Sequence, residues 1–172
     1  FTEAFLVSGE NFADSLSIGS FASKNCIPLL LTPSTILSDS VLNSINTNGI
    51  TKITIIGGES AITADLENQL KDLKLSVNRI GGLNRTHTSV LVGQTFFPNA
   101  ETGIFTNGMT FSDALVAAPY GALLNSPILL IQKNELGKNM EDFLNRSYTK
   151  LGIVIGGDNA ISPETHQLLL LH

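Results

Sequence analysis

Cysteine and charge are both scarce in this chain of 172 residues, and it has no long apolar run. Its one cysteine, Cys26, excludes an intramolecular disulfide and any cysteine-rich metal site; it is expected to be a buried, inert thiol. Charged residues make up only 15% of the chain, which leaves Ser, Thr, Asn and Gly to cover much of the surface. Fifteen acidic residues against ten basic ones give a net charge of −5. With Lys and Arg scattered, the closest grouping being Lys71, Lys74, Arg79 and Arg85, this is no nucleic-acid binder working through bulk charge, which needs a clustered basic face. No apolar run approaches the ~18 residues of a membrane span. The chain opens at Phe1, inside what reads as a strand, as processing or excision from a longer protein would leave it. Nucleophile motifs are missing too. There is no Gly-x-Ser-x-Gly elbow, and His87, His166 and His172 stand isolated, without a Ser or Cys partner in a matching motif.

What the chain does have is a duplication. Residues 1–73 overlay residues 100–172 without a gap. Gly9-x-x-Phe12-x-Asp14-x-Leu16 falls on Gly108-x-x-Phe111-x-Asp113-x-Leu115, Pro28-Leu29-Leu30-Leu31 on Pro127-Ile128-Leu129-Leu130, and Ile56-Gly57-Gly58-x-x-Ala61-Ile62 on Ile155-Gly156-Gly157-x-x-Ala160-Ile161. A period this long marks a duplicated folding unit. The join is placed near residue 77, giving units 1–76, truncated at its start, and 77–172, complete.

Each copy alternates short apolar runs with amphipathic stretches. The runs Ala4–Ser8, Pro28–Thr32, Lys52–Ile56, Gly103–Asn107, Pro127–Ile131 and Leu151–Ile155 lack polar alternation, as strands covered on both faces do. Helical patterns lie at about 13–25, 38–47, 63–73, 111–124, 136–146 and 162–171, with another ending near Phe96. Strand–helix alternation predicts an α/β fold of tandem Rossmann-like repeats, with parallel sheets between helices. The Pro-Leu-Leu-Leu and Pro-Ile-Leu-Leu segments are expected to be central, buried strands beginning at Pro28 and Pro127.

Both shared loops have sufficient structural reasons. Asn11 and Thr110 are expected helix caps, with Asp14 and Asp113 at the third helical position. Thr63 and Ser162 are expected caps after the Gly-Gly pairs, with Pro163 in the first turn. These loops end strands, where α/β ligands usually bind, so Asp14 and Asp113 are also candidates for a sugar hydroxyl or a cation. Glu59 and Asp158 beside the glycines make phosphate a poor fit. Arg79-x-x-Gly82-x-x-Arg85-x-x-Thr88 is the most ligand-like polar element. Its arginines could clamp an anion or pair with Asp113 or a neighbouring repeat. Nothing here calls for a metal or another cofactor.

The ordered set Arg79-Ile-Gly-Gly-Leu-Asn-Arg85-Thr-His-Thr88, Gly-x-x-Phe-x-Asp-Ala-Leu, Pro-Ile-Leu-Leu and Val-Ile-Gly-Gly-Asp-Asn-Ala-Ile-Ser resembles the cell wall binding repeat 2 family. The first copy carries the set from Gly9 onward and lacks the Arg-rich opening. The resemblance implies a modified Rossmann-like, Toprim-like fold and a secreted surface protein. It also implies non-catalytic, non-covalent anchoring to the wall of Gram-positive bacteria through an anionic secondary wall polysaccharide, often alongside the surface layer. Other repeats of the same parent protein are implied partners. The family's attachment motif maps to Leu29, Leu30, Leu31 and Ile128, Leu129, Leu130, side chains that the pattern expects to be buried. Arg79 and Arg85 are then the leading polymer contacts, followed by Asp14 and Asp113. Two other readings stay open: a small-molecule-binding α/β domain or hydrolase using the carboxyl-end crevice of the sheet, and a structural surface-layer assembly element. A pocket with polar groups clustered in only one copy would favour the small-molecule reading.

Overall fold

The computed structural model describes residues 1–169. His172 and the last residues of the second unit lie outside the described residues. Strands and helices alternate as β1 (Glu3–Ser8), α1 (Phe12–Asn25), β2 (Leu29–Thr32), α2 (Asp39–Asn48), β3 (Lys52–Ile56), α3 (Ala64–Asp72), β4 (Ser76–Ile80), α4 (Arg85–Phe96), β5 (Thr102–Asn107), α5 (Ser112–Leu124), β6 (Ile128–Ile131), α6 (Lys138–Arg146), β7 (Leu151–Ile155) and α7 (Pro163–Leu169). Two parallel sheets result, with strand orders β2-β1-β3-β4 and β6-β5-β7. This is the α/β architecture that the run pattern predicts.

Successive side chains of a strand point to opposite faces. Ala4 and Leu6 therefore join Ile53, Ile55, Val41, Leu66 and Leu70 under α2 and α3, while Phe5 and Val7 join Ile18, Ala22 and Val92 under α1 and α4. In the second sheet, Phe105 packs with Met140 and Phe143 on one face. On the other, Ile104, Ile128 and Leu130 share a cluster with Ala114, Ala117 and with Ala13 and Leu16 of α1. A core cluster thus spans both copies.

Strand β4 opens the second sequence repeat yet pairs with β3 of the first, from Lys52 opposite Ser76 to Ile56 opposite Ile80. The chain then crosses into α4, whose Val90 joins the core of the second sheet. Sequence repeat and sheet are out of phase by one strand.

Several local expectations need correction. Strands β2 and β6 are edge strands, not central ones. Pro28 and Pro127 stand just before them, and their carbonyls accept from Phe5 N and Ile104 N at 3.0 Å. Ile128, Leu129 and Leu130 are buried as expected, but Leu29 and Leu30 are half-buried and Leu31 is 57% exposed. The reason lies in α4, which covers β6 and also satisfies its edge, since Leu130 N donates to Ser89 Oγ at 2.9 Å. Among the described residues no such helix covers β2. Asn11 caps α1, accepting from Ala13 N, but Thr110 does not cap α5. There Met109 N donates to Asn107 Oδ1, whose amide donates to Ala160 O, and the helix starts one residue later. Asp113 accordingly falls at the second helical position. Thr63 caps α3 as expected, and Ser162 Oγ accepts from Thr165 N. Cys26 is exposed, not buried: it is the left-handed C-cap of α1, as its counterpart Asn125 is of α5.

Small residues bring α1 and α5 together. A Cβ on Gly121 would lie 2.9 Å from Ser20 Cβ and 3.0 Å from Ile128 Cδ1, and one on Gly19 would lie 3.1 Å from Ala118 Cβ. Phe12 and Phe111 meet edge to face, 5.9 Å between ring centres, at the amino ends of the pair. Gly121→Val forces these helices apart. Its expected cost is about 1–3 kcal/mol, the usual cost of overpacking, read from the urea midpoint of the whole chain.

Candidate functional site

The carboxyl ends of β1, β3 and β4 meet around Asp14. After β3, Gly57 turns the chain at φ +124°, a conformation that L side chains rarely adopt. The space a Cβ would need there is taken, because it would lie 2.6 Å from Asp14 Oδ2. The second copy repeats this pairing: Gly156 has φ +139°, and its Cβ would lie 3.2 Å from Asp113 Oδ2. The two motifs shared by the copies are therefore one device, a carboxylate at a helix start resting on a glycine turn.

Among the described residues, only the first copy adds a second layer. The Gly81-Gly82 turn after β4 lies directly on Gly57-Gly58, and a Cβ on Gly81 would come within 2.4 Å of the Gly57 carbonyl group. Gly57 N donates to Ile80 O at 2.8 Å. The turn is held to α4 by Thr88 Oγ1, which accepts from Gly82 N at 3.0 Å, and by His87 Nδ1, which accepts from Leu83 N at 3.2 Å. Asn84 Oδ1 caps α4 by accepting from His87 N at 2.9 Å. Between this turn, the Gly58–Ala61 loop and the start of α1 lies a crevice of about 200 Å³, where Asp14, Asn11, Ser60, Arg85 and Thr88 converge.

The two arginines have separate tasks. Arg79 Nε donates to Glu67 Oε2 at 2.8 Å and Nη1 to Gly57 O at 3.0 Å, and its side chain is only 17% exposed. Hydrogen bonds from Lys71 and then Arg79 hold the Glu67 carboxyl below its ordinary range. Arg79 thus fastens the Gly57 loop from behind. Arg85 lines the crevice, reaches across to donate Nη1 to Gly108 O at 2.5 Å, and stands 5.9 Å from the Phe12 ring centre. That bond stays within its own repeat and goes to a carbonyl and not to Asp113, whereas Arg79, through Glu67 and the Gly57 carbonyl, is the arginine that pairs with the neighbouring repeat. Asp14 and Asp113 rest on separate glycine turns, one in each repeat. Asn11, Ser60 and Thr88 were not singled out as ligand contacts in the sequence. The Arg-x-x-Thr spacing was the available signal, because it sets Arg85 and Thr88 on one face of α4.

Burial pushes the Asp14 carboxyl up to about 6, against the hydrogen bond from Thr88 and the charge of Arg85. Its ordinary value is 3.8, so between roughly pH 4 and 6 the folded chain binds the extra proton. Stability from this group is full below about pH 4 and is lost as pH rises through 6. Asp14→Asn removes that loss. Its stability relative to the parent chain is expected to rise between pH 4 and 7 by up to about 3 kcal/mol. Urea unfolding of both chains across this range is the check, and a pH-independent difference would refute it.

The comparisons with known proteins fit this geometry. The model of the cell wall binding domain 2 family matches residues 1–67 and 79–166. The N-acetylmuramoyl-L-alanine amidase LytC of Bacillus subtilis is 29% identical over 96% of this chain, which spans 33% of that protein. The amidase enhancer of the same organism is 35% identical over 76% of the chain, 18% of its own length. The chain thus spans a third or less of these relatives. Two solved structures from Clostridium difficile share the fold: Cwp6, with TM-score 0.90 at 22% identity over 99% of this chain and 27% of its own, and Cwp8, with TM-score 0.82 at 26% identity over 99% and 29%. With two ordered motif sets matched along nearly its whole length, the chain belongs to the cell wall binding domain 2 family.

Proposed function

We propose that this chain is a non-catalytic anchor that holds a secreted surface protein to the bacterial wall by binding an anionic secondary wall polysaccharide at the Asp14–Arg85 crevice. The family match carries the wall-binding part of this reading. The crevice carries the rest, since it sets a guanidinium, a carboxylate, an amide and hydroxyls at one sheet end. Such a set recognises a polyol bearing an occasional negative charge. Arg85 is the contact for that charge, while Asp14, Asn11 and Thr88 suit hydroxyls. Arg79 supports from behind. Weak single sites gain avidity along a repetitive polymer.

The hydrolase reading has one point in its favour, because the complete crevice occurs in only one copy. That asymmetry comes from the missing second layer at Gly156-Gly157 and not from different chemistry, as both copies keep the Asp and the Gly pair. The crevice lining also offers one carboxylate, where glycoside hydrolysis uses two. No group of three His, Cys, Asp or Glu among the described residues could hold a metal ion. None of the helices there is long and apolar enough to cross a membrane.

Co-sedimentation with purified walls, before and after extraction of the secondary polymer, tests the proposal. The chain is expected to sediment with intact walls, to lose binding after extraction, and to bind less well in high salt. Arg85→Ala is expected to weaken binding roughly 10- to 100-fold, the range of a lost charge-assisted hydrogen bond. Arg79→Ala acts chiefly by lowering stability. Undiminished binding to extracted walls, or by Arg85→Ala, would overturn the assignment.

A further inference from the structure

The first sheet has a second hollow, of about 350 Å³, at the amino ends of β1 and β3, opposite the Asp14–Arg85 crevice. Its floor is one face of these two strands. Glu3 lies opposite Lys52 and Phe5 opposite Thr54, so all four side chains share the face that α1 and α4 cover. Phe21 of α1 and Phe96, the last residue of α4, stand over that floor. Their ring centres are 4.5 Å apart, and each ring meets Phe5 edge to face, at 6.2 and 5.4 Å. Ile27 extends the apolar wall. At the polar rim, Lys52 Nζ donates to Glu3 Oε2 at 2.9 Å, with both side chains nearly half exposed.

The second repeat shows that the fold does not need this polar set. Its strands keep the same register, Thr102 opposite Leu151 and Ile104 opposite Ile153. These are the counterparts of Glu3, Lys52, Phe5 and Thr54. The ion pair is thus replaced by Thr with Leu, and the hydroxyl of the floor by Ile. Asn25, at the edge of the hollow, is replaced by Leu124. Polar groups are therefore clustered here in one copy only. Small-molecule sites have this make-up, a concave and mostly apolar hollow with a few placed polar groups.

We propose that this hollow binds a free α-amino acid with an apolar side chain. The side chain lies on the wall of Phe5, Phe21 and Phe96. The α-ammonium pairs with Glu3 and the α-carboxylate with Lys52, so one ion pair gives way to two. An exposed ion pair adds little stability and opens readily to such a competitor. The charges decide against simpler ligands. An amine without a carboxylate would leave Lys52 unpaired, and a carboxylate without an amine would leave Glu3 unpaired. Both α1 and α4 end at the hollow, and helix carboxyl ends favour a positive group. Phe21 belongs to the first repeat and Phe96 to the second, so the ligand bridges the repeats and stabilises their junction. The site stands apart from the wall-polymer reading, which uses the other end of the sheet.

L-phenylalanine and L-leucine are the probes, titrated into the isotope-labelled chain and followed by NMR. Saturable shifts are expected at the amides of Phe21, Ile27, Thr54 and Phe96, with those of Asn11 and Thr88 unmoved. Phenethylamine and phenylpropionate, each lacking one charge, are expected to bind at least tenfold more weakly than phenylalanine. Two variants give the hollow the residues of the second repeat: Glu3→Thr with Lys52→Leu, and Thr54→Ile alone. Each is expected to keep the amide dispersion of a folded chain and to weaken binding at least tenfold. No saturable binding of either amino acid up to about 10 mM would overturn the site. Equal affinity for the single-charge analogues, undiminished binding by the folded double variant, or shifts centred on the crevice would overturn it too.

Discussion

The close approach of two backbone turns, Gly57-Gly58 and Gly81-Gly82, is the contact on which the rest of the site depends. A single Cβ on Gly81 would fall inside the Gly57 carbonyl group, and a side chain on Gly57 would fall on Asp14. With both positions bare, three layers stack within a few ångströms: the start of α1, the end of β3 and the turn after β4. The crevice is the gap left at the edge of that stack. Its polar groups arrive from three separate segments, and two of them, Thr88 and Arg85, make bonds that also hold the stack. Thr88 holds the Gly82 amide, Arg79 holds the Gly57 carbonyl, and Arg85 ties α4 to the turn after β5 at Gly108. The geometry of the crevice is thus set by the bonds that hold the turns.

This arrangement also explains why a buried carboxylate is tolerated. Asp14 is 6% exposed, and burial opposes its charge. A residue kept only to cap a helix would be expected at the surface, as acidic first-turn residues usually are. Asp14 lies beneath the turn, where Thr88 and Arg85 offset part of the desolvation. The cost is local and the return is positional, because the carboxylate edge becomes part of a rigid lining.

Much of the fold was legible in the sequence because its signals are local. The runs of Ile, Leu and Val located six of the seven described strands, and the cap chemistry of Asn11, Thr63 and Ser162 located helix starts. Strand β4 was missed: Ser-Val-Asn-Arg-Ile has only two apolar residues, Val77 and Ile80, in an edge strand that is only partly buried. Its partner is also fixed by topology and not by neighbouring sequence. The same kind of non-local fact misplaced Leu31. Nothing in Pro-Leu-Leu-Leu says that the helix covering β6 has no counterpart over β2. At the site, Asp14 and Arg85 stood out through motif and charge, while the different employment of Arg79 followed from Glu67, twelve residues away on another element.

On the proposed reading, the acidic charge of the chain and an anionic ligand are reconciled by the same stack. Long-range attraction would require net positive charge, which a chain at −5 does not have. Arg85 would act at contact distance, beside a carboxylate whose proton affinity is already raised toward neutrality. In acid Asp14 takes up its proton, and the field at the crevice becomes more positive without any change in shape. Recognition then depends on hydrogen-bond geometry, with charge as a local adjustment. A low-charge surface rich in Ser, Thr and Asn suits that mode, in which binding strength would come from repetition of modest contacts along a polymer and not from the field of any one unit.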